Sequence, residues 1–366
     1  MAIFDLQHLG WGPFFEEQCP MLPDARLTVA RIAAAHRGRY ELWSAKGSRM
    51  GRRTGRLRYA ASEIIYDPDA KGTPAVGDWV GARWPENPDE LASVEHLFTR
   101  RTAFLRRAAG FRSVPQVVAA NINTVFVVCG LDGDFNERRI ERYLTQLAES
   151  GAEPVLVLTK ADLAADAEER AAAQREKLGR AVYLTILKPG AEGAGGEGIE
   201  SLRAYTRIGH TVAFVGSSGA GKSSLVNALV GRDVQAVGEV RASDDHGRHT
   251  TVHRQLVELA GGGLLLDNPG IREIQLWGEH DGVDETFEDI AKLAGGCRFR
   301  DCQHADEPDC AVLAAVEDGT LTKERIEHYK ALLAEQERQA KRRDEYARLH
   351  SHRVAQRKRS GKRKKR

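Results

Sequence analysis

Between residues 27 and 100, apolar residues come in short runs, each closed by a turn residue or a charge: LTVARIA, YELWSA, GRLRYAA, GDWVGARW and ASVEHLFTR. Strands at that spacing, with no helical period between them, predict a small β-barrel. A five-stranded OB-type barrel over residues 27–112 fits the length, and an SH3-like barrel is the alternative. After Phe111 the rhythm becomes α/β. NTVFVVCGL reads as a buried strand, ERRIERYLTQLAES as an amphipathic helix, PVLVLTKADL as a strand ending in a loop, and AEERAAAQREKL as a charged helix. The strands AVYLTIL, HTVAFVG and GLLLDNPG follow, and the helix SLVNALVG lies between the last two. Such alternation predicts a parallel sheet covered by helices, with ligand loops at the carboxyl ends of its strands.

The expected organisation is multidomain α/β. An N-terminal arm (1–26) precedes the barrel (27–112), a central α/β unit spans 113–276, and a cysteine-bearing helical unit spans 277–335. A basic helix and tail (336–366) close the chain. With 42% hydrophobic and 29% charged residues, the 366-residue chain has the composition of a globular protein. The opening MAIFDLQHLGWGPFFEEQ has no basic start followed by an apolar block, and no apolar run approaches membrane-span length, so a cytoplasmic location is expected.

Charge is unevenly placed behind a net +2. The stretch from Arg353 to Arg366 holds nine Lys/Arg and no acid, and residues 26–112 hold 17 basic against 9 acidic residues, with a cluster at Arg49, Arg52, Arg53, Arg56 and Arg58. Two separated basic regions point to a polyanion partner. Five cysteines in a cytosolic chain do not imply disulfides, and three of them fall between residues 297 and 310.

The stretch GSSGAGKS matches G-x-x-x-x-G-K-S over Gly216, Ser217, Ser218, Gly219, Ala220, Gly221, Lys222 and Ser223, with Ser224 following. Glycines let the backbone wrap phosphate oxygens, Lys222 reaches the β- and γ-phosphates, and the Ser223 hydroxyl suits Mg²⁺. In DNPG, Asp267 can hold Mg²⁺ through water and the Gly270 amide can meet the γ-phosphate. TKAD matches a guanine reader: the Asp162 carboxylate accepts from the guanine N1–H and N2–H₂, and the Lys160 stem packs under the base. Thr159 stands where Asn is usual, losing an amide that ties the loop to its neighbours. The reader precedes the phosphate loop, so the motifs form one GTP site in circularly permuted order, which a sheet tolerates if its original ends lie close.

Hydrolysis needs a group to orient water, and Ile271 occupies the place where Gln often follows D-x-x-G. His249 in GRHTT is the nearest polar candidate, and Thr250 is the switch threonine expected on Mg²⁺, with Thr251 beside it. Further on, GGCRFRDCQHADEPDC spaces Cys297, Cys302, His304 and Cys310 as C-x₄-C-x-H-x₅-C. Three thiolates and an imidazole complete a closed tetrahedral Zn²⁺ site, whose role is structural.

Together the reversed motif order, GSSGAGKSSLVNAL, GRHTT, DNPGIREIQLW and CRFRDCQHADEPDC resemble the RsgA/YjeQ family of ribosome small-subunit-dependent GTPases over residues 27–335. The resemblance implies an OB-fold, a circularly permuted P-loop GTPase domain and a zinc-binding domain. It also implies GTP hydrolysis stimulated by the small ribosomal subunit, binding to 16S rRNA, and a role late in subunit maturation. One structural Zn²⁺ per chain, Mg²⁺ with GTP or GDP, no membrane and a monomer are expected, and His249 takes the family's catalytic position. Departures bear on nucleotide affinity and guanine selectivity: Thr159 for Asn, DNPG for DTPG, TTV for TTT, and Thr185–Ile186 in place of the Ser-Ala of the base-supporting loop. Two other readings are an RNA-binding chaperone with a vestigial nucleotide site and an ATP-using P-loop enzyme. The intact phosphate loop opposes the first and TKAD the second.

Overall fold

The computed structural model describes residues 3–36, 38–55, 57, 73–107, 115–133, 135–148, 150–187, 196–217, 219–230, 254–267, 283, 286–335, 337–338 and 341. They divide into two compact units, one of residues 1–105, 117–143 and 150–274, the other of 106–116, 144–149 and 275–366.

In the first unit, β1 (Thr28–His36), β2 (Arg39–Ser44), β3 (Gly47–Arg53), β4 (Trp79–Arg83) and β5 (Ala92–Leu97) form a closed barrel. β3 runs parallel to β5, and β4 closes antiparallel on β1. A sequential meander would instead pair β3 with β4, so the barrel is OB-like rather than SH3-like. Its core holds Ile32, Leu42, Val80, Ala82 and Val94. The third strand falls on Gly47–Arg53 and not on GRLRYAA, of which Gly55 and Leu57 are helical and the described remainder ends there. GSRMGRR reads as a turn because Gly47 and Gly51 occupy its inward positions, opposite Ser44 and Tyr40 of β2. A Cβ on Gly51 would lie 2.8 Å from Leu42 Cδ1, so a larger residue would displace that buried side chain.

The N-terminal segment is packed rather than loose. It carries the short helix α1 (Pro13–Glu16) and a 3₁₀ turn (Cys19–Met21). Trp11 lies edge-on to Trp79 at 4.9 Å and to Phe98 at 5.2 Å, while Phe15 stacks on Trp11 at 5.5 Å. Arg31, 1% exposed, sits behind them. It donates to the carbonyls of Leu9 in the arm, Gly77 before β4, and Asn121 ahead of the α/β sheet.

A two-stranded sheet of β6 (Ala103–Arg107) and β7 (Pro115–Ala120) precedes the α/β sheet in the chain. There β8 (Thr124–Gly130), β9 (Glu153–Thr159), β10 (Val182–Leu184), β13 (Thr211–Val215) and β15 (Leu264–Asp267) are parallel, in the order β10-β9-β8-β13-β15. A two-stranded ribbon of β11 (Ile186–Leu187) and β12 (Gly196–Glu197) lies between β10 and β13 in sequence. Among the described residues four helices accompany them: α2 (Glu137–Ala148), α3 (Ala167–Leu178), α4 (Ile199–Arg203) and α5 (Lys222–Val230). Buried on both faces, β8 and β9 are continuous apolar runs, as parallel strands require. β14 (Arg254–Glu258) completes the sheet antiparallel to β15. Its other edge pairs with β1 of the barrel through Ala34–Gln255 and Ala35–Arg254. Barrel and α/β sheet therefore share one continuous hydrogen-bonded ladder.

The second unit contains α6 (Glu288–Ala294), α7 (Ala311–Glu317) and a helical stretch at 323–335. Val283, Phe287, Ile290, Val312, Ile326 and Leu332 form its core, together with Cys310.

Candidate nucleotide site and metal cluster

All five parallel strands end on one edge of the sheet, and the loops there carry the sequence motifs. From β13 the chain enters Gly216 at φ +146°, where an added Cβ would stand 2.2 Å from the Val128 carbonyl oxygen. Only glycine fits so close to β8. Gly219 and Gly221 are also left-handed, at φ +80° and +86°, and the loop turns directly into α5 at Lys222. The Lys222 ammonium is buried inside the loop, donating to the carbonyls of Gly216 (2.8 Å) and Ser217. Ser223 and Ser224 follow in the first turn of α5, half-buried. Helix N-terminus and convergent glycines make an anion site of this corner.

Beside it, β9 ends at Thr159. Lys160 adopts φ +57° and starts a 3₁₀ turn, Ala161–Leu163, on which Asp162 is exposed. The tie that an Asn amide would supply is made here by a hydroxyl: buried Thr159 donates to Ala220 O of the phosphate loop at 2.7 Å. Thr185 lies against the reader through two backbone bonds, accepting from Ala161 N–H (3.3 Å) and donating to Leu158 O (2.9 Å). Asp267 is the last residue of β15, in backbone register with Gln255. Ser218, His249, Thr250 and Gly270 lie outside the described residues, as do the basic tail and Arg56 and Arg58.

Sequence reasoning missed Asp132, which follows β8 on the same edge and forms an ion pair with Lys160. Its position two residues beyond a parallel strand was the available signal. The barrel's basic cluster also sorts differently in space. Arg49 is used internally, donating to Asn87 O at 2.9 Å and lying 5.8 Å over the Trp84 ring. Arg39 and Arg52, directly opposite each other on β2 and β3, are both exposed.

In the second unit the four residues picked by spacing converge. The ligand atoms of Cys297, Cys302, His304 and Cys310 all lie within 4.8 Å of one another. Cys297 Sγ is 3.8 Å from Cys310 Sγ and 3.6 Å from His304 Nδ1, and His304 Nδ1 is 3.4 Å from Cys310 Sγ. A tetrahedral Zn²⁺ with ordinary bond lengths gives edges of about 3.8 Å between sulfurs and about 3.6 Å between sulfur and nitrogen. The donor set and its spacing fit that ion. Left-handed backbone at His304 (φ +55°) and Asp309 (φ +59°) folds the loop inward. The Glu307 carboxylate accepts the amides of Gln303 and Ala305, both at 2.8 Å, and these bonds hold its pKa down to about 2.

Residues 97–277 match the family model described as RsgA GTPase. The chain is 43% identical over 349 residues to the small ribosomal subunit biogenesis GTPase RsgA of Opitutus terrae, covering 93% of this chain and 92% of that one. The chain belongs to the RsgA GTPase family. The RsgA of Xylella fastidiosa strain M23 is likewise 43% identical, over 90% of this chain and 96% of its own length. Among solved structures, the circularly permuted GTPase YloQ superposes with a TM-score of 0.59 at 24% identity, covering 85% of this chain and 95% of its own. YjeQ from Thermotoga maritima gives a TM-score of 0.59 at 23% identity, covering 84% and 98%. Membership makes this chain a GTP hydrolase, and the permuted order read from TKAD and GSSGAGKS is that of the structural neighbours. No described helix is long and apolar enough to cross a membrane.

Proposed function

We propose that this GTPase binds the small ribosomal subunit and its 16S rRNA, acts late in subunit maturation, and hydrolyses GTP to GDP and phosphate at a rate the subunit raises. The observation carrying the proposal is the joining of the TKAD loop to the phosphate loop through Thr159 and Ala220. It makes one nucleotide site from motifs in reversed order.

In that site Lys222 meets the β- and γ-phosphates, Gly216–Ser224 wrap them, and Asp162 selects guanine. Ser223, Thr250 and Asp267 would hold Mg²⁺, which when bound neutralises phosphate charge. The Gly270 amide meets the γ-phosphate, and His249 orients the attacking water. Phosphoryl transfer asks for positioning and charge stabilisation, so an enzyme lacking a Gln at position 271 is slow until a partner adds to both.

Zn²⁺ held by Cys297, Cys302, His304 and Cys310 shapes the second unit for recognition of another part of the subunit. On the barrel, Arg39 and Arg52 repel each other across the ladder unless an anion lies between them, which suits an RNA phosphate. The protein acts in the cytoplasm as a monomer.

The test is GTP and ATP turnover with and without purified small ribosomal subunits. Turnover of GTP alone, rising steeply with subunits, is expected. GTP turnover indifferent to subunits would move the activator elsewhere, and equal use of ATP would overturn the reader assignment.

A further inference from the structure

We infer that Asp132 is a positioning residue of the guanine reader, tethering the Lys160 ammonium so that the lysine's alkyl chain lies ready as a floor for the purine ring. The inference rests on the assignment of TKAD as that reader.

The loop after β8 is fastened to the end of β9 before Asp132 is reached. Leu131 N–H donates to Thr159 O at 2.8 Å, one residue before Lys160. Asp132 comes next, and its Oδ2 meets Lys160 Nζ. Two further features fix the carboxylate there. A Cβ on Gly130 would stand 3.0 Å from Asp132 Oδ1, so the side chain folds back over a position that has none. Phe135 N–H donates to Asp132 O at 3.1 Å, closing a turn around the acid. On the other side, Lys160 leaves the strand at φ +57°, so its backbone sets the direction of the side chain and Asp132 fixes its tip.

An untethered lysine loses rotamer freedom when a base settles on its stem. One already held at its tip loses less, and that is preorganisation. The pair is part-exposed, with side-chain exposures of 34% and 28%, so its effect is modest. It is also indifferent to the identity of the purine. The stem meets the ring face, which all purines share, whereas Asp162 reads the N1–H and N2–H₂ edge.

The experiment is stopped-flow dissociation of N-methylanthraniloyl-GDP and -IDP from the full chain as wild type, Asp132→Asn, Lys160→Met and the double variant. Asp132→Asn should speed loss of both nucleotides about fivefold, and Asp132→Glu should restore most of the retention. In the Lys160→Met background, Asp132→Asn should add nothing, a result that loss of a merely structural contact would not give. Wild-type dissociation from Asp132→Asn, or effects that multiply in the double variant, would overturn the inference. Wild-type dissociation from Lys160→Met, which keeps the stem and loses the tethered ammonium, would overturn it as well, whereas GDP release from Asp162→Ala as slow as wild type would overturn the reader assignment itself.

Discussion

The Thr159 hydroxyl donates to the Ala220 carbonyl oxygen at 2.7 Å, fastening the strand that ends in TKAD to the GSSGAGKS loop. Both residues are buried, Thr159 at 1% and Ala220 at 2% exposure, so water cannot replace the bond. Thr159→Val keeps the shape and removes the donor. It should cost about 1–3 kcal/mol and speed nucleotide release, while Thr159→Ser should keep both near wild type. Urea unfolding and nucleotide dissociation, measured on the same preparations, check the two halves.

Much of this site was legible because its signals are local. Continuous apolar runs ended in GSSGAGKS and TKAD, and their strand ends fell where parallel sheets place ligands. The Cys/His cluster was legible for the same reason, its four residues lying within fourteen positions of chain. What escaped depends on distant partners. Asp132 and Lys160 are 28 residues apart, and neither stretch announces the other. Trp11 and Phe15 look like arm residues until Trp79 and Phe98 are brought to them. β14 reads as an ordinary alternating segment, and its pairing with β1 of the barrel joins residues more than two hundred positions apart. Thr159 looked like a loss because the sequence showed a missing amide and could not show a hydroxyl within reach of Ala220.

Asp78, just before β4, and Arg100, just after β5, form a buried bidentate pair, at 2.7 Å for both contacts, with side chains 0% and 3% exposed. Asp78 also accepts the Ala75 amide at 2.7 Å. Asp78→Ala strands a buried guanidinium and an amide together. Loss of one partner of such a pair costs about 3–5 kcal/mol, so the denaturation midpoint of the first unit should fall sharply. Arg100→Met leaves the buried Asp78 carboxylate with the Ala75 amide alone and takes the donor from the Thr73 carbonyl, so it should cost a comparable amount. Near-wild-type stability of either variant would mean that the pair is not kept in solution.

Arg31 supplies donors to carbonyls from three chain segments; Gly77 O keeps a second donor in the Asn121 side-chain amide, so Arg31→Met orphans the acceptors in the arm and ahead of the α/β sheet. Each buried unsatisfied group costs about 1–3 kcal/mol, and the variant should lose at least one such increment. Deleting residues 1–16 removes the Leu9 carbonyl and uncovers Trp79, which is fully buried. The truncated chain should show red-shifted tryptophan emission and a lower melting temperature. Unchanged emission would mean that the Trp11–Trp79 contact is not kept in solution.

Zinc removal should act on the second unit alone. Cys310 belongs to that unit's core and accepts the Leu313 amide at 3.5 Å, as the cap of α7. Chelation or Cys310→Ala should therefore loosen the segment from α6 to 335, while the phosphate loop, in the other unit, keeps its nucleotide. The pH dependence has a definite sign. Without metal, burial first and then hydrogen bonding with Cys310 and Cys297 push the Cys302 thiol up to about 11, so near neutrality it carries a proton that Zn²⁺ must displace. Each proton released makes affinity rise about tenfold per pH unit below the thiol pKa. Between pH 8 and pH 6, zinc affinity measured against a competing chromogenic chelator should fall at least about a hundredfold for that one proton. A flat profile would show that all three thiols are already ionised when the metal arrives.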